Sequence, residues 1–231
     1  MSSRETNDRE QISEVTTGRL SVYLRCLTYL EAIDERTVSS HELAERFHLN
    51  SAQIRKDLAC FGEFGTRGVG YNVSTLKEHL VRALGLDRVR KVLIVGAGNL
   101  GMALADYSGF NDGGFRIVAL VDNSPLKVGQ TSRSGIPVLA SVNLADIVRS
   151  MSVDIGVIAV NPDSAQEVHD ALIAAGVSAI LNFAPVQLRM RTDVKVKSVD
   201  LRINLESLSF YLKGIEDGTR NTDTEHDTSN G

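Results

Sequence analysis

The chain has 231 residues, of which 42% are hydrophobic, and it carries a formal net charge of −4. This length favours one or two domains, and the acidic balance excludes nucleic-acid binding through overall charge. Cys26 and Cys60 lie far apart with no metal-ligand spacing, so we expect neither a disulfide framework nor a metal site. The polar first residues and the lack of a long apolar run favour a soluble cytoplasmic protein.

The chain divides into segments with different residue patterns. Residues 17–85 predict a winged helix-turn-helix domain, and residues 86–200 predict a Rossmann-like domain with a parallel sheet. Residues 201–213 predict a C-terminal helix, while the polar ends, residues 1–16 and 214–231, are expected to be disordered. The predicted fold class is therefore α/β.

Three helices, a hairpin and a linking helix from about Ser74 to Leu84 are predicted in the first domain. An amphipathic helix runs from about Thr17 to Asp34, and Ser39 with Glu42 forms a capping-box pattern for a second helix. The third helix begins near Asn50, and its apolar face is formed by Ile54, Leu58 and Phe61. The glycines that follow predict a hairpin: Gly62, Gly65, Gly68 and Gly70.

The third helix has the composition of a DNA-recognition helix. Such a helix packs one face on its own domain and offers hydrogen-bond donors to base edges and phosphates from the other. The residues predicted to contact DNA are Ser51, Gln53, Arg55 and Lys56 on the helix and Arg67 at the hairpin tip. Asp57 and Glu63 offset part of this positive charge, so the pattern also fits a small helical bundle with a solvated basic edge.

A dinucleotide-binding fingerprint opens the second domain. The apolar run from Lys91 to Val95 predicts a strand, and Gly96, Gly98 and Gly101 follow it in the spacing GxGxxG before a helix. Glycines at these places allow a tight turn, a close approach of a pyrophosphate and close packing of the helix. Here too, glycines needed for packing alone would produce the same spacing.

The rest of this domain alternates strand and helix. Strands are predicted at residues 91–95, 115–121, 136–139, 155–160, 177–182 and 194–199. Helices are predicted at residues 99–108, 143–150, 164–175 and 204–213. Near-continuous apolar strands of this kind favour a parallel sheet that is covered on both faces.

Asp122 ends the second predicted strand of this domain. A carboxylate there binds the ribose hydroxyls and repels a 2′-phosphate, which favours NAD(H) over NADP(H), although Lys127 weakens that preference. The residues predicted to bind the nucleotide are Gly96, Ala97, Gly98, Asn99, Leu100, Gly101, Asp122, Lys127, Val160, Asn161, Asn182 and Phe183.

Two other functions fit a nucleotide-binding fold. A CoA-binding module shares the fold, but the phosphorylated ribose of CoA lacks the free diol that Asp122 would bind. An NAD-dependent oxidoreductase needs an acid or base near the nicotinamide. His79, His169 and Tyr107 are weak candidates, since His169 is expected on a solvated outer helix and Tyr107 in a packing role. With no room for a substrate lobe, we predict no catalytic residues and no enzyme.

Several segments occur together in an order typical of one family. Residues 53–71 (QIRKDLACFGEFGTRGVGY) combine RKDL, FG and GTRGVGY. Residues 95–110 (VGAGNLGMALADYSGF), 121–129 (VDNSPLKVG) and 181–186 (LNFAPV) follow in matching spacing. Over residues 17–213 the chain resembles the Rex family of redox-sensing transcriptional repressors.

The resemblance implies a ligand-controlled homodimer. Such a dimer binds operator DNA, an inverted repeat, when it is apo or NAD⁺-bound, and NADH releases it. The resemblance also implies that the helix within residues 201–213 is exchanged between subunits. Asp200 would pair alternately with Tyr107 and with Arg25 to form the switch, and Phe183 would lie near an apolar nicotinamide pocket.

Overall fold

The computed structural model describes residues 13–62, 64–66, 68–189 and 192–224, with only the backbone for residues 111–112 and 215–224. The chain forms two compact units that divide between Val89 and Arg90.

The first unit contains four helices in its described residues: α1 (Glu14–Ala32), α2 (Ser40–Phe47), α3 (Ser51–Ala59) and α4 (Val73–Ala83). Helix α1 begins earlier than predicted because Ser13 caps it and its hydroxyl accepts the Thr16 amide at 3.1 Å. The predicted capping box of α2 is confirmed, since Ser39 and Glu42 each accept the other's backbone N–H. Asn50 caps α3 through one hydrogen bond, in which its side-chain oxygen accepts the Gln53 amide.

The hairpin after α3 is confirmed, and a third strand joins it. Strands β1 (Thr37–Val38), β2 (Gly65–Thr66) and β3 (Gly70–Asn72) form an antiparallel sheet in the order β1-β3-β2. Gly70 has φ +95°, and a Cβ there would lie 2.6 Å from the carbonyl oxygen of Val38. The close approach of β1 to β3 therefore requires a glycine at this position.

A single apolar cluster holds the first unit together. Its largest fully buried side chains are Leu20, Leu27, Leu30, Leu43, Ile54, Leu76 and Leu80. Phe61 lies beyond the end of α3 rather than on it, yet it packs against this cluster. The winged helix-turn-helix prediction thus agrees with the observed helices and sheet.

The second unit is built on a six-stranded parallel sheet. Its strands are β4 (Arg90–Val95), β5 (Phe115–Asp122), β6 (Val138–Ala140), β7 (Ile155–Ile158), β8 (Ala179–Asn182) and β9 (Lys195–Ser198). Their order, β6-β5-β4-β7-β8-β9, is the 3-2-1-4-5-6 order of dinucleotide-binding sheets. The Rossmann-like prediction is confirmed.

Helices cover both faces of this sheet. They are α5 (Asn99–Ala105), α6 (Gly109–Asp112), α7 (Leu144–Met151) and α8 (Pro162–Ala174). The last helix, α9 (Leu201–Thr224), is not part of this cover, because its described side chains, residues 201–214, are exposed. Ile94 packs in a cluster with Ala105 of α5, whereas Leu93 and Val95 pack in another with Leu172 of α8. Alternate residues of β4 thus point to opposite faces, as in any strand.

Some boundaries differ from the predictions. Helix α5 ends at Ala105, and a separate short helix, α6, follows. Helix α9 continues to Thr224, so the prediction of disorder is wrong for residues 214–224, and residues 225–231 lie outside the described part of the chain. Within the described residues, no helix is long and apolar enough to cross a membrane.

Candidate nucleotide and DNA sites

A cleft of about 400 Å³ lies at the carboxyl ends of β4 and β7. These strands are neighbours, with Val95 paired to Ile158, and their following helices cover opposite faces of the sheet. Such a switch point is where open α/β sheets bind ligands. The described residues that line the cleft include the glycine turn after β4, the end of β5 and the first residues of α8.

The three fingerprint glycines have different roles. Gly96 has φ +105°, and a Cβ there would lie 2.4 Å from the carbonyl oxygen of Ala159. A Cβ at Gly101 would lie 1.8 Å from the carbonyl oxygen of Gly96. Gly98 instead has an extended backbone that any residue adopts, and its Cβ would meet no atom within 4 Å. Folding thus requires Gly96 and Gly101, while the space beside Gly98 is open to a ligand.

Asp122 ties the end of β5 to the glycine turn. Its Oδ2 accepts the Ala97 amide at 2.8 Å and the Lys127 ammonium at 3.0 Å, while Oδ1 accepts the Ser124 amide at 2.8 Å. Burial raises the pKa of this carboxyl, but the backbone amides and Lys127 outweigh it and hold the pKa below its usual range. Asp122 is therefore an ionised acceptor at the cleft, as binding of a ribose diol requires.

The structure brings half of the predicted nucleotide residues to the cleft. Those that line it are Gly96, Gly98, Asp122, Lys127, Val160 and Asn161. Those that do not line it are Ala97, Asn99, Leu100, Gly101, Asn182 and Phe183. Sequence reasoning missed other residues that line it: Asn123, Ser141, Leu144, Ser164, Glu167, Val168 and Ala171. Several of these follow strand ends, a signal that the sequence does carry.

Asn182 and Phe183 contact other parts of the unit. The Asn182 side chain is fully buried; it donates to the Ala184 carbonyl at 3.0 Å and accepts the Ala184 amide at 2.9 Å. Phe183 packs against the cluster that contains Ala97, on the α5 face of the sheet. The visible role of Asn182 is thus to shape the loop after β8.

His169 does not have the solvated position predicted for it. The residue is fully buried on α8, and its Nδ1 lies 2.8 Å from Asp170 Oδ1. The face of α8 that carries Ala165 and Leu172 is buried too, which explains why helical spacing from these residues puts His169 inside. It does not line the cleft, and among the described residues no group of His, Cys, Asp and Glu is arranged to hold a metal ion.

Helix α3 exposes its basic residues. Arg55 and Lys56 are exposed, and an Arg55 Nη donates to Ser40 Oγ at 3.0 Å. Ser51 is half-buried in the first turn. Gln53 donates from its amide nitrogen to Asp57 at 2.7 Å. Arg67, the predicted wing residue, lies outside the described residues.

Asp57 does not offset this positive charge as the sequence suggested. It is 2% exposed and accepts hydrogen bonds from Arg19 and Tyr23 of α1 as well as from Gln53. The Arg19 hydrogen bond is the main reason that the pKa of Asp57 lies below its usual range. Sequence reasoning missed this network. The sequence does indicate that Asp57 is buried, because it lies three residues after Ile54 and so falls on the apolar face of α3.

Acid should destabilise the chain through Asp57. Because its folded-state pKa is lowered, its contribution is complete above the unfolded-state pKa of about 4 and is lost as the pH falls below that value. Denaturant unfolding at pH 7 and pH 3 should therefore show a larger loss of stability for the native chain than for Asp57→Asn. Since Asp106 and Asp122 also have lowered pKa values and remain in both proteins, the difference reports on Asp57. Equal losses would contradict the assignment.

The predicted switch residues occupy three different settings. Tyr107 is 58% exposed and packs edge-on against Phe110, with ring centroids 5.1 Å apart. Asp200 precedes α9, and its Oδ1 accepts the Arg202 amide at 2.9 Å. Arg25 is exposed on α1. In the described structure Asp200 thus caps a helix.

A winged helix-turn-helix unit joined to a dinucleotide-binding unit defines a class of protein: a DNA-binding regulator with its own nucleotide site. Two family models match accordingly. The model described as putative DNA-binding protein N-terminus matches residues 11–59, and the one described as CoA binding domain matches residues 87–186.

Comparison with individual relatives identifies the family more specifically than the two family models do. The redox-sensing transcriptional repressor Rex of Desulfitobacterium hafniense is 48% identical over 87% of this chain and 96% of its own length. That of Streptomyces avermitilis is 48% identical over 87% of this chain and 79% of its own length. The chain belongs to the Rex family, whose named members are transcriptional repressors and not enzymes.

Solved structures of RSP, a Rex-family repressor, agree with this assignment. A crystal structure of RSP in complex with β-NAD⁺ and operator DNA has a TM-score of 0.84 at 35% identity, covering 94% of this chain and 99% of that one. A crystal structure of RSP in complex with β-NADH has a TM-score of 0.80 at 35% identity, covering 91% and 98%.

Proposed function

We propose that this protein is a cytoplasmic homodimer that binds operator DNA when apo or NAD⁺-bound and releases it when NADH binds. The observation that carries the proposal is the open space beside Gly98, next to an ionised Asp122, in a chain that also has a recognition helix. The RSP complexes with NAD⁺ and operator DNA and with NADH support it.

The nucleotide would lie across the switch point. Its pyrophosphate approaches Gly98 and the first turn of α5, which includes Asn99 and Leu100. The adenosine ribose binds Asp122, whose Oδ1 accepts one protein donor and so has capacity for a hydroxyl. The nicotinamide extends past Val160 and Asn161 toward Phe183. An apolar pocket there favours the neutral ring of NADH over the cationic ring of NAD⁺.

Helix α3 would enter the major groove of the operator. Arg55 and Lys56 project from its exposed side, and Ser51 and Gln53 lie in its first turn, where recognition helices contact base edges. Arg67 would reach DNA from the wing. The buried Asp57 leaves this surface more positive than the sequence alone suggests.

Helix α9 would join two copies of the chain. The apolar side chains of α9 that the structure describes are at least 59% exposed in the single chain: Leu201, Ile203, Leu205, Leu208, Phe210, Tyr211 and Leu212. A helix this apolar needs a partner surface, and the family resemblance makes that partner a second copy. Since Asp200 caps α9, a change of its partner to Tyr107 or Arg25 would move this helix end, and we propose that NADH binding selects between these pairings.

Fluorescence anisotropy tests the proposal directly. The protein is titrated with inverted-repeat duplexes whose half-sites lie whole helical turns, about 34 Å, apart, and then with NADH or NAD⁺ at fixed salt. Release by NADH at concentrations where NAD⁺ has little effect supports the proposal. Specific binding that neither nucleotide changes overturns the sensor function and makes CoA the next ligand to test. Absence of specific binding overturns the repressor function.

CoA is the second candidate ligand because the CoA binding domain model covers the nucleotide-binding unit. Asp122 is expected to distinguish NADH from CoA, since its carboxylate binds a free ribose diol and repels a ribose phosphate. Calorimetric titration with NADH and with CoA compares them. We expect binding of NADH and little binding of CoA, and the reverse order would favour the CoA-binding function.

Arg55→Ala should weaken operator binding about ten-fold or more, the effect of losing one specific arginine contact. Its contact with Ser40 is on the surface, so stability should change little. Arg82→Ala, which removes an exposed arginine of α4 paired with Glu78, controls for net charge. Anisotropy at matched salt measures both variants. Equal affinity losses would show that Arg55 contributes only to overall charge.

A further inference from the structure

Asp57 lies at the centre of a saturated hydrogen-bond network. The Arg19 guanidinium donates to it through both arms of a fork, from Nε to Oδ2 at 2.5 Å and from Nη2 to Oδ1 at 2.7 Å. The Tyr23 hydroxyl donates to Oδ2 at 2.9 Å, and Gln53 Nε2 donates to Oδ1 at 2.7 Å. Each carboxylate oxygen thus accepts two hydrogen bonds.

Burial and hydrogen bonding shift the pKa values of two groups in this network. The Arg19 hydrogen bond lowers the pKa of Asp57, so the carboxylate is ionised at neutral pH and can only accept. Burial, followed by the hydrogen bond to Asp57, raises the pKa of Tyr23 to about 12, so its hydroxyl stays a donor. Tyr23 therefore donates its hydrogen to Asp57 and does not replace the carboxylate as the acceptor of the Gln53 N–H.

This chemistry determines the orientation of the Gln53 amide. A glutamine side chain can present either its oxygen or its nitrogen to a neighbour, and a partner that only accepts selects the nitrogen. The oxygen Oε1 is then directed away from Asp57, and Nε2 keeps a second N–H for other partners. The backbone is held as well, because the Gln53 amide donates to Asn50 Oδ1 at 2.9 Å.

An oriented amide discriminates between purines. The major-groove edge of adenine offers an N6–H donor and the N7 acceptor, which match a glutamine oxygen and N–H. Guanine offers O6 and N7, both acceptors, so its O6 would face Oε1 of the oriented glutamine. A glutamine free to rotate its amide would instead adapt and donate to O6.

We propose that Asp57 is a positioning residue for base recognition: by holding the Gln53 amide, it makes Gln53 accept adenine and disfavour guanine at one position of each half-site. The inference rests on the proposed DNA-binding function of α3. Arg19 acts one step further away, by holding both oxygens of the carboxylate.

Selection from a duplex pool with randomised half-sites, followed by sequencing of the bound fraction, tests the inference in the full-length protein. The native chain should prefer adenine over guanine about ten-fold or more at one position, as expected for a bidentate contact. Gln53→Ala and Asp57→Asn should each reduce that preference to about two-fold or less, and the double variant should lose no more. Preferences at other positions should persist.

Tyr23→Phe is the matched control. It removes one hydrogen bond to Asp57 and leaves the contacts of Arg19 and Gln53 in place, so it should lower stability but keep the preference for adenine. Circular dichroism shows which variants fold, and an Asp57→Asn chain that does not fold is replaced by Asp57→Glu, which misplaces the carboxylate.

The outcomes separate the inference from the function on which it rests. If Gln53→Ala loses the preference while folded Asp57 variants keep it, Gln53 reads the base without Asp57 and the inference is overturned. If Gln53→Ala changes no preference, the inference is wrong although DNA binding stands. A native chain that selects no sequence overturns the DNA-binding function and this inference with it.

Discussion

The Gly98→Val variant is expected to keep operator binding and to lose its response to NADH. Gly98 has an extended backbone with open space where a Cβ would be, so the Cβ of the added side chain meets no protein atom within 4 Å. Its cost in stability should be about 1 kcal/mol, the loss of a favourable residue at the start of a helix. The same side chain would occupy the space that the pyrophosphate needs.

Anisotropy with and without NADH, together with thermal unfolding, checks this expectation. The control variant is Ala103→Val, which places a valine side chain at an exposed position of α5. It should leave the NADH response unchanged. Gly101→Ala should instead disrupt the fold, because its Cβ would lie 1.8 Å from the carbonyl oxygen of Gly96. A normal NADH response in Gly98→Val would falsify the assignment of the nucleotide site.

The Leu208→Asp variant is expected to be monomeric and to bind the operator far more weakly. Leu201, Leu205, Leu208 and Leu212 lie on one stripe of α9, and all are exposed in the single chain. A charge at the centre of an apolar interface is costly to bury, so the dimer should dissociate. Because two linked heads bind two half-sites with a gain of roughly 10²–10⁴ in avidity, separate monomers should lose most of the operator affinity.

Sedimentation equilibrium and anisotropy measure these two effects. Ser209→Asp is the control, since Ser209 lies toward the polar side of α9, which carries Arg202 and Glu206. It should stay dimeric and bind DNA normally. A dimeric Leu208→Asp protein with full operator affinity would show that α9 does not form the dimer interface.

Local patterns in the sequence were sufficient for most of the fold. The capping box of Ser39 and Glu42 and the glycine hairpin involve residues close together in the chain, so their geometry follows from local preferences. The strand predicted at residues 136–139 is observed as β6, although its bounds differ by one or two residues. The two-residue strand β1 was not predicted, because so short a strand is stabilised by its pairing partner and not by its own sequence. The length of α9 was missed since its last part lacks apolar periodicity.

The two-unit organisation, the glycine turn with its carboxylate and the family could be predicted before folding is considered, since these depend on residue type and spacing. Which side chains contact each other became known from the folded chain. It placed Arg19 and Tyr23 of α1 around Asp57 of α3, buried His169, and showed that Gly98 differs from Gly96 and Gly101 in having open space beside it. These facts depend on contacts between residues distant in the chain, which form only when the whole unit packs and burial selects each partner.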